Sequence, residues 1–143
     1  MLPETIDSTF LAAAIRKALP QLEETALESK KAFLSHGSHQ DCTSCHQQYL
    51  PMAAIGYARH AQVSIDADSE RKLIQIVGDF HKRNAEPLAE ALFHPEPAQT
   101  VGYGLFGWHA DDQPADPATD VGVHHLTVIQ RKVKPAGTNS TFR

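Results

Sequence analysis

The sequence predicts an all-α protein, a small bundle built of antiparallel helical hairpins. Apolar residues recur at helical spacing, as in the face formed by Leu73, Ile76, Val77 and Phe80. Short polar turns separate such segments, and short turns force neighbouring helices to run antiparallel. Strand signals are weak, because the β-branched string "LTVIQ" lies inside an apolar pattern with a period near 3.6 residues.

Six helices and one short helical piece are predicted, and the first two are separated at a proline. Asp7 and Ser8 carry side-chain oxygens that can cap the first helix, which ends near Ala18. Pro20 suits the first turn of a second helix, over about 21–35, because that position needs no backbone N–H.

The middle of the chain predicts two further helices. The third covers about 47–61, with Pro51 in its first turn. Either Asp66 or Asp68 caps the fourth, which ends near Lys82.

The last part of the chain predicts one short and two longer helical segments. The short piece covers about 86–93, and the fifth helix covers about 100–109. After a polar turn with two prolines, Asp116 or Thr119 opens the sixth helix.

Length and composition predict one helical domain over residues 1–143, with a loose tail over 133–143. Apolar residues make up 41 % of the chain, which is normal for a globular protein. The net charge is −4 and no basic run occurs, so we expect no nucleic-acid partner. No stretch of about 18 apolar residues is present, so no membrane span is expected.

The only two cysteines form the motif C-x-x-C-H, made by Cys42, Cys45 and His46. This string is the attachment signature of c-type haem. Residues at i, i+3 and i+4 share one side of a helical turn, so two thiols can bind the porphyrin edge while the imidazole reaches the iron. The motif therefore predicts covalent haem c, with His46 as the proximal iron ligand.

Other chemistry uses the same cysteine spacing. A dithiol redox pair has it, but normally within a βαβ unit, which this chain lacks. Half of a zinc site also has it, and His36 and His39 stand close upstream of Cys42. The alternative prediction is a helical binding module that uses the cysteines for zinc or for a disulfide.

The sixth haem ligand is predicted from helix faces. His109 shares a face with Leu105 and Trp108, so we expect a buried imidazole on an apolar wall and take it as the candidate distal ligand. His125, Met52 and an open iron site are the alternatives. A buried histidine bonded to a backbone carbonyl is the simpler interpretation of the same pattern.

Two strings resemble a known group of bacterial proteins. The string "CTSCHQQYLPMAAIGYAR" resembles their C-x-x-C-H-[HQ]-Q-x-L-P segment, and "GYGLFGWHADDQPADPATDVGVHHLTVIQ" resembles a later helix-turn-helix. Those proteins look like squalene-cyclase or prenyltransferase-type α/α-toroid domains fronted by a cytochrome-c-like haem motif. The resemblance covers about residues 14–130 and implies a helical haem domain.

The chain departs from that family where its chemistry would lie. Asp111 and Asp112 stand in a turn and do not match the Asp-x-Asp-Asp acid of a cyclase. The Gln-x-x-x-Gly-x-Trp repeats are absent, and the chain is too short to close a toroid. A peroxidase would need a distal acid–base residue, and the sequence singles none out. We therefore predict no enzyme activity.

The predicted function is that of a mono-haem c-type cytochrome, which transfers single electrons or senses a small ligand. A redox partner protein is expected for electron transfer. Because haem c is attached outside the cytoplasm, we expect a periplasmic or extracytoplasmic location, although no secretory leader is visible at the N-terminus.

Overall fold

Every element in the computed structural model is helical. The structure describes residues 8–35, 43–92 and 97–133. Five α-helices and a π-helical turn follow one another as α1 (Ser8–Ser35), the π turn (Cys45–Tyr49), α2 (Leu50–His60), α3 (Ala67–Ala89), α4 (Pro97–Ala110) and α5 (Pro117–Val133). No strand occurs in the described ranges, so the all-α prediction is confirmed. Of the predicted loose tail, only Val133 is described, and it ends α5.

Two predicted helix boundaries are wrong, and both fall at prolines. α1 runs unbroken through Pro20, where the sequence predicts the start of a new helix. α3 likewise runs through Pro87, where a separate piece over 86–93 is predicted. A proline inside a helix costs about 3 kcal/mol. The flanking leucines are buried, Leu19 at 4 % and Leu88 at 1 % exposure, so tertiary packing holds both helices continuous.

Aspartates before α3 and α5 cap these helices. The carboxylate of Asp66 accepts a hydrogen bond from the N–H of Asp68 at 3.0 Å. Asp116 and Thr119 bind reciprocally, since the side chain of each accepts from the backbone N–H of the other at 2.8 Å. These bonds satisfy N–H groups that have no partner inside the helix. The sequence left two candidates for each cap. In the structure Asp66 caps α3 and Asp116 caps α5.

The hydrophobic core lies where α1, the π turn, α2 and α3 meet. Its buried members are Leu19, Ala26, Tyr49, Met52, Ile55, Ala58, Val63, Leu73, Val77 and Phe80. Three of the four residues in the predicted α3 face belong to it. The fourth, Ile76, is half-buried and lines a groove between α1 and α3. The core thus supports the inner side of the π turn, which leads out of the cysteine–histidine motif.

Candidate functional site

The π turn begins inside the cysteine–histidine motif, at Cys45, and continues directly into α2. The N–H of Tyr49 donates to the carbonyl oxygen of Ser44 at 3.3 Å, five residues back, so this turn is wider than the regular α-helical turn expected from the spacing. His46 is exposed on the turn. For Cys45 the structure describes the backbone but not the side chain, and Cys42 lies outside the described residues.

Gln48 fastens the π turn to α1. Its side chain is only 2 % exposed. The Oε1 atom accepts from the N–H of Ser44 at 2.8 Å, while Nε2 donates to the carbonyl oxygen of Ala26 at 3.0 Å and to Oγ of Ser29 at 2.9 Å. One buried amide thus joins the start of the turn to the middle of α1. The spacing of residues in the sequence does not predict that Gln48 fastens the turn to α1. The sequence signal for it is its place as the second glutamine of the C-x-x-C-H-[HQ]-Q-x-L-P segment.

An aromatic cluster holds the turn from its inner side. The ring of Tyr49 is fully buried and meets Phe80 edge to face at 5.9 Å between ring centroids. The imidazole of His81 lies between Phe80 and Trp108, at 6.1 and 5.9 Å. Edge-to-face pairs of this kind contribute about 0.5–1.5 kcal/mol beyond the burial of their area. The turn is therefore fixed on its inner side, while His46 stands on its outer side.

Glycines let α4 lie directly against the π turn and α2. A Cβ atom at Gly107 would lie 2.7 Å from the carbonyl oxygen of Tyr49, and one at Gly56 would overlap the backbone of Ala110. Only glycine fits at such positions, because any side chain would push the helices apart. The two contacts occur in the same order along both segments. α4 therefore runs in the same direction as the π turn and α2.

An apolar recess of about 440 Å³ opens on α4, the helix that packs against the π turn. One helical turn before the contact between Tyr49 and Gly107 lie His46 on one segment and Tyr103 on the other. The recess is almost wholly apolar and is lined by Ala98, Gln99, Gly102, Tyr103 and Phe106. Both of its aromatic rings are exposed, Tyr103 at 41 % and Phe106 at 42 %. Exposed aromatic surface thus lies on the helix that packs against the π turn through Gly107.

His109, the predicted distal ligand, is exposed in the last turn of α4. The expectation that it is buried is wrong. α4 packs through its small residues, since its buried positions are Val101, Gly104, Gly107 and Ala110. Close approach of the backbones turns the larger side chains outward. His109 consequently shares an exposed face with Phe106, three residues before it.

The two alternative ligands are buried. Nδ1 of His125 lies 2.9 Å from the carbonyl oxygen of Leu88 and donates to it, which is the simpler interpretation that the sequence offered for His109. Met52 is 1 % exposed in the hydrophobic core. Neither side chain is therefore at the surface beside His46. The two histidines of the zinc alternative lie outside the described residues.

A charged cluster surrounds Arg59 near the end of α2. Its guanidinium donates to Glu70 at 3.0 Å, to the Asp111 carboxylate at 3.2 Å and to Asp112 at 3.2 Å. Asp111 is 1 % exposed, and burial raises the pKa of its carboxyl to about 6. Arg59 acts against this rise and neighbouring Glu70 adds to it. Arg59 thus joins α2, α3 and the turn after α4.

The described ranges contain neither a metal-ligand cluster nor a membrane-spanning helix. No three His, Cys, Asp or Glu side chains there come close enough together to hold a metal ion. None of the helices described is both long and apolar enough to cross a bilayer.

Comparison of the chain with models of known protein families, with characterised proteins and with solved structures gave no significant match. The resemblance to cyclase-type toroid proteins therefore stays a prediction.

Proposed function

We propose that this chain is a mono-haem c-type cytochrome. The thiols of Cys42 and Cys45 would hold the porphyrin through two thioether bonds, and the imidazole of His46 would bind its iron. The C-x-x-C-H string carries the proposal, because its groups match the edge and the metal of one haem. The bound group supplies a one-electron redox centre whose iron can also take a small ligand.

The residues around the motif suit this group. His46 is exposed on the π turn, so it lies at the surface of the protein. Gln48 and Tyr49 hold the turn against α1 and the core, so the backbone that carries His46 has a fixed support. In a cofactor protein the chain supplies binding, orientation and electrostatics, and a fixed proximal turn is part of that contribution. We propose electron exchange with a redox partner protein, or small-ligand sensing, in an extracytoplasmic compartment.

Covalent haem is tested by expression with extracytoplasmic haem-attachment machinery. We expect one haem per chain that stays bound under denaturing conditions, measured by its absorption spectrum and by haem staining of a gel. Changing both Cys42→Ala and Cys45→Ala should abolish the signal, whereas Ser44→Ala, between them, should keep it. A colourless protein with one zinc equivalent or a disulfide would contradict the proposal and indicate a helical binding module.

The proximal ligand is tested separately. His46→Ala should remove the low-spin spectrum, because the iron loses an axial ligand. His124→Ala, an exposed histidine on α5, is the control and should leave the spectrum unaltered. The same spectrum in the His46 variant and the parent protein would rule out His46 as the iron ligand.

We also propose His109 as the distal ligand. The reason is that it is exposed on the same face of α4 as the recess. Gly102, Phe106 and His109 follow at i, i+4 and i+7 on that face. His109→Met should change bis-histidine into histidine–methionine ligation and raise the reduction potential. His124→Met is the control. An unchanged potential in the His109 variant would exclude this role.

A further inference from the structure

We infer that the apolar recess on α4 is the protein surface against which the haem macrocycle packs. The inference rests on the proposed function and adds a second group of binding residues, far along the chain from the cysteines. These residues are Gly102, Tyr103 and Phe106.

The chemistry of the recess fits a flat, conjugated and largely apolar ligand. Tyr103 and Phe106 present exposed rings at its wall, and Gly102 leaves open space, since a Cβ atom there would meet nothing within 4 Å. The exposed ring of Tyr57 on α2 extends the surface, with its centroid 6.4 Å from that of Phe106. Aromatic rings stack on or pack edge-on against other π systems. Contiguous exposed apolar surface of this kind marks a binding site.

Position distinguishes this recess from the other cavities. Two larger grooves flank α1, one of about 870 Å³ against α3 and one of about 780 Å³ against α2. Acidic and basic side chains line the first, among them Glu24, Glu28 and Lys31, so it suits an apolar macrocycle poorly. The second is apolar but lies between α1 and α2. The recess on α4, in contrast, lies on the helix that contacts the π turn directly, since Gly107 meets the backbone of Tyr49.

The test fills the recess in the intact haem-loaded protein. Gly102→Leu adds a side chain where the structure has open space, so the fold should persist, and helix content measured by circular dichroism checks this. Ala54→Leu is the matched control, because Ala54 is an exposed small residue that lines the other apolar groove on the neighbouring helix. Tyr103→Ala is a second variant, which removes a wall of the recess instead of filling it. Haem content, reduction potential and imidazole binding to the ferric iron are measured for each.

We expect Gly102→Leu and Tyr103→Ala to keep one covalent haem. We also expect both to shift the reduction potential and to change the imidazole dissociation constant about tenfold, as for contacts worth about 1.4 kcal/mol. Ala54→Leu should behave as the parent protein. Haem-loaded recess variants that match the parent would overturn the assignment of the recess alone. A parent protein without covalent haem would overturn the proposed function, and the recess assignment with it.

Discussion

The side-chain amide of Gln48 donates a 3.0 Å hydrogen bond to the carbonyl oxygen of Ala26, which lies 22 positions earlier in the chain. This bond connects the π turn, which carries Cys45 and His46, to α1, the longest of the helices that the structure describes. Three bonds meet at this one buried amide, counting those to Ser29 and Ser44. The support of His46 therefore depends on a residue that has no ligand chemistry of its own.

Gln48→Ala should destabilise the fold more than the same substitution at the neighbouring Gln47. The variant leaves the buried carbonyl of Ala26 without its bond from Gln48, a loss of about 1–3 kcal/mol. Gln47→Ala is the matched control, because Gln47 is exposed and should change stability by less than about 0.5 kcal/mol. The free energy of unfolding is measured by urea denaturation. Equal values for the two variants would show that the amide does not hold the turn.

Asp111 should make the protein more stable as the pH falls from about 7 to about 4. Burial raises the pKa of its carboxyl to about 6, so the native state binds this proton more tightly than the unfolded chain does. The free energy of unfolding then rises as the pH falls through the native pKa towards the ordinary value near 4, by on the order of 1–3 kcal/mol.

Asp111→Asn should remove this rise, because the amide cannot titrate. Asp79→Asn, an exposed aspartate on α3, is the control and should keep the parent pH profile. Thermal or urea unfolding at several pH values gives the comparison. If the Asp111 variant shows the same slope as the parent protein, the buried carboxyl is not the source.

His81 should have the opposite effect to Asp111 and make the protein less stable as the pH falls. Its imidazole is 1 % exposed, and neither ring nitrogen has a hydrogen-bond partner in the described part of the chain. Burial lowers its pKa, against weaker opposing effects of the Gly104 backbone and Asp116. The native state therefore resists protonation, and its stability falls as the pH drops below about 6.5, the ordinary histidine value.

His81→Leu should remove this loss of stability at low pH. We expect the variant to gain on the order of 1 kcal/mol relative to the parent between pH 7 and pH 5. His124→Leu replaces an exposed histidine and should show no such gain. A pH-independent difference between parent and His81 variant would assign the effect to packing and not to protonation.

Two of the three glycines of α4, Gly102 and Gly107, should change the stability in opposite directions when each is replaced by alanine. A Cβ atom at Gly107 would lie 2.7 Å from the carbonyl oxygen of Tyr49, so Gly107→Ala should force the helices apart and cost about 1–3 kcal/mol. A Cβ atom at Gly102 meets nothing within 4 Å, so Gly102→Ala should gain about 0.5–1 kcal/mol through helix propensity. Urea denaturation measures both, and the same sign for both would contradict the close approach of α4 to the π turn.

Features that depend on near neighbours in the chain can be predicted from the sequence alone. Apolar residues at helical spacing predict α3 and its buried face, because residues three and four apart lie on one side of a helix. The caps of α3 and α5 could each be narrowed to a pair of candidates, Asp66 or Asp68 and Asp116 or Thr119, since the bonds of a cap reach only two or three residues along the chain. The cysteine–histidine motif is also local, and its chemistry follows from its spacing.

Tertiary structure decided the features that depend on distant partners. Whether Pro20 ends a helix depends on the packing around it, which its own segment does not reveal. α4 does not bury its most apolar face. It buries the face on which Gly107 fits against the backbone of Tyr49 and Gly104 fits against the side chains of Tyr49 and His81. His109 is therefore left exposed. The role of Gln48 needed Ala26 and Ser29 to be brought beside it. The spacing of apolar residues predicts which side chains share a helix face. Which face is buried depends also on the shape of the neighbouring backbone, because protein interiors are closely packed.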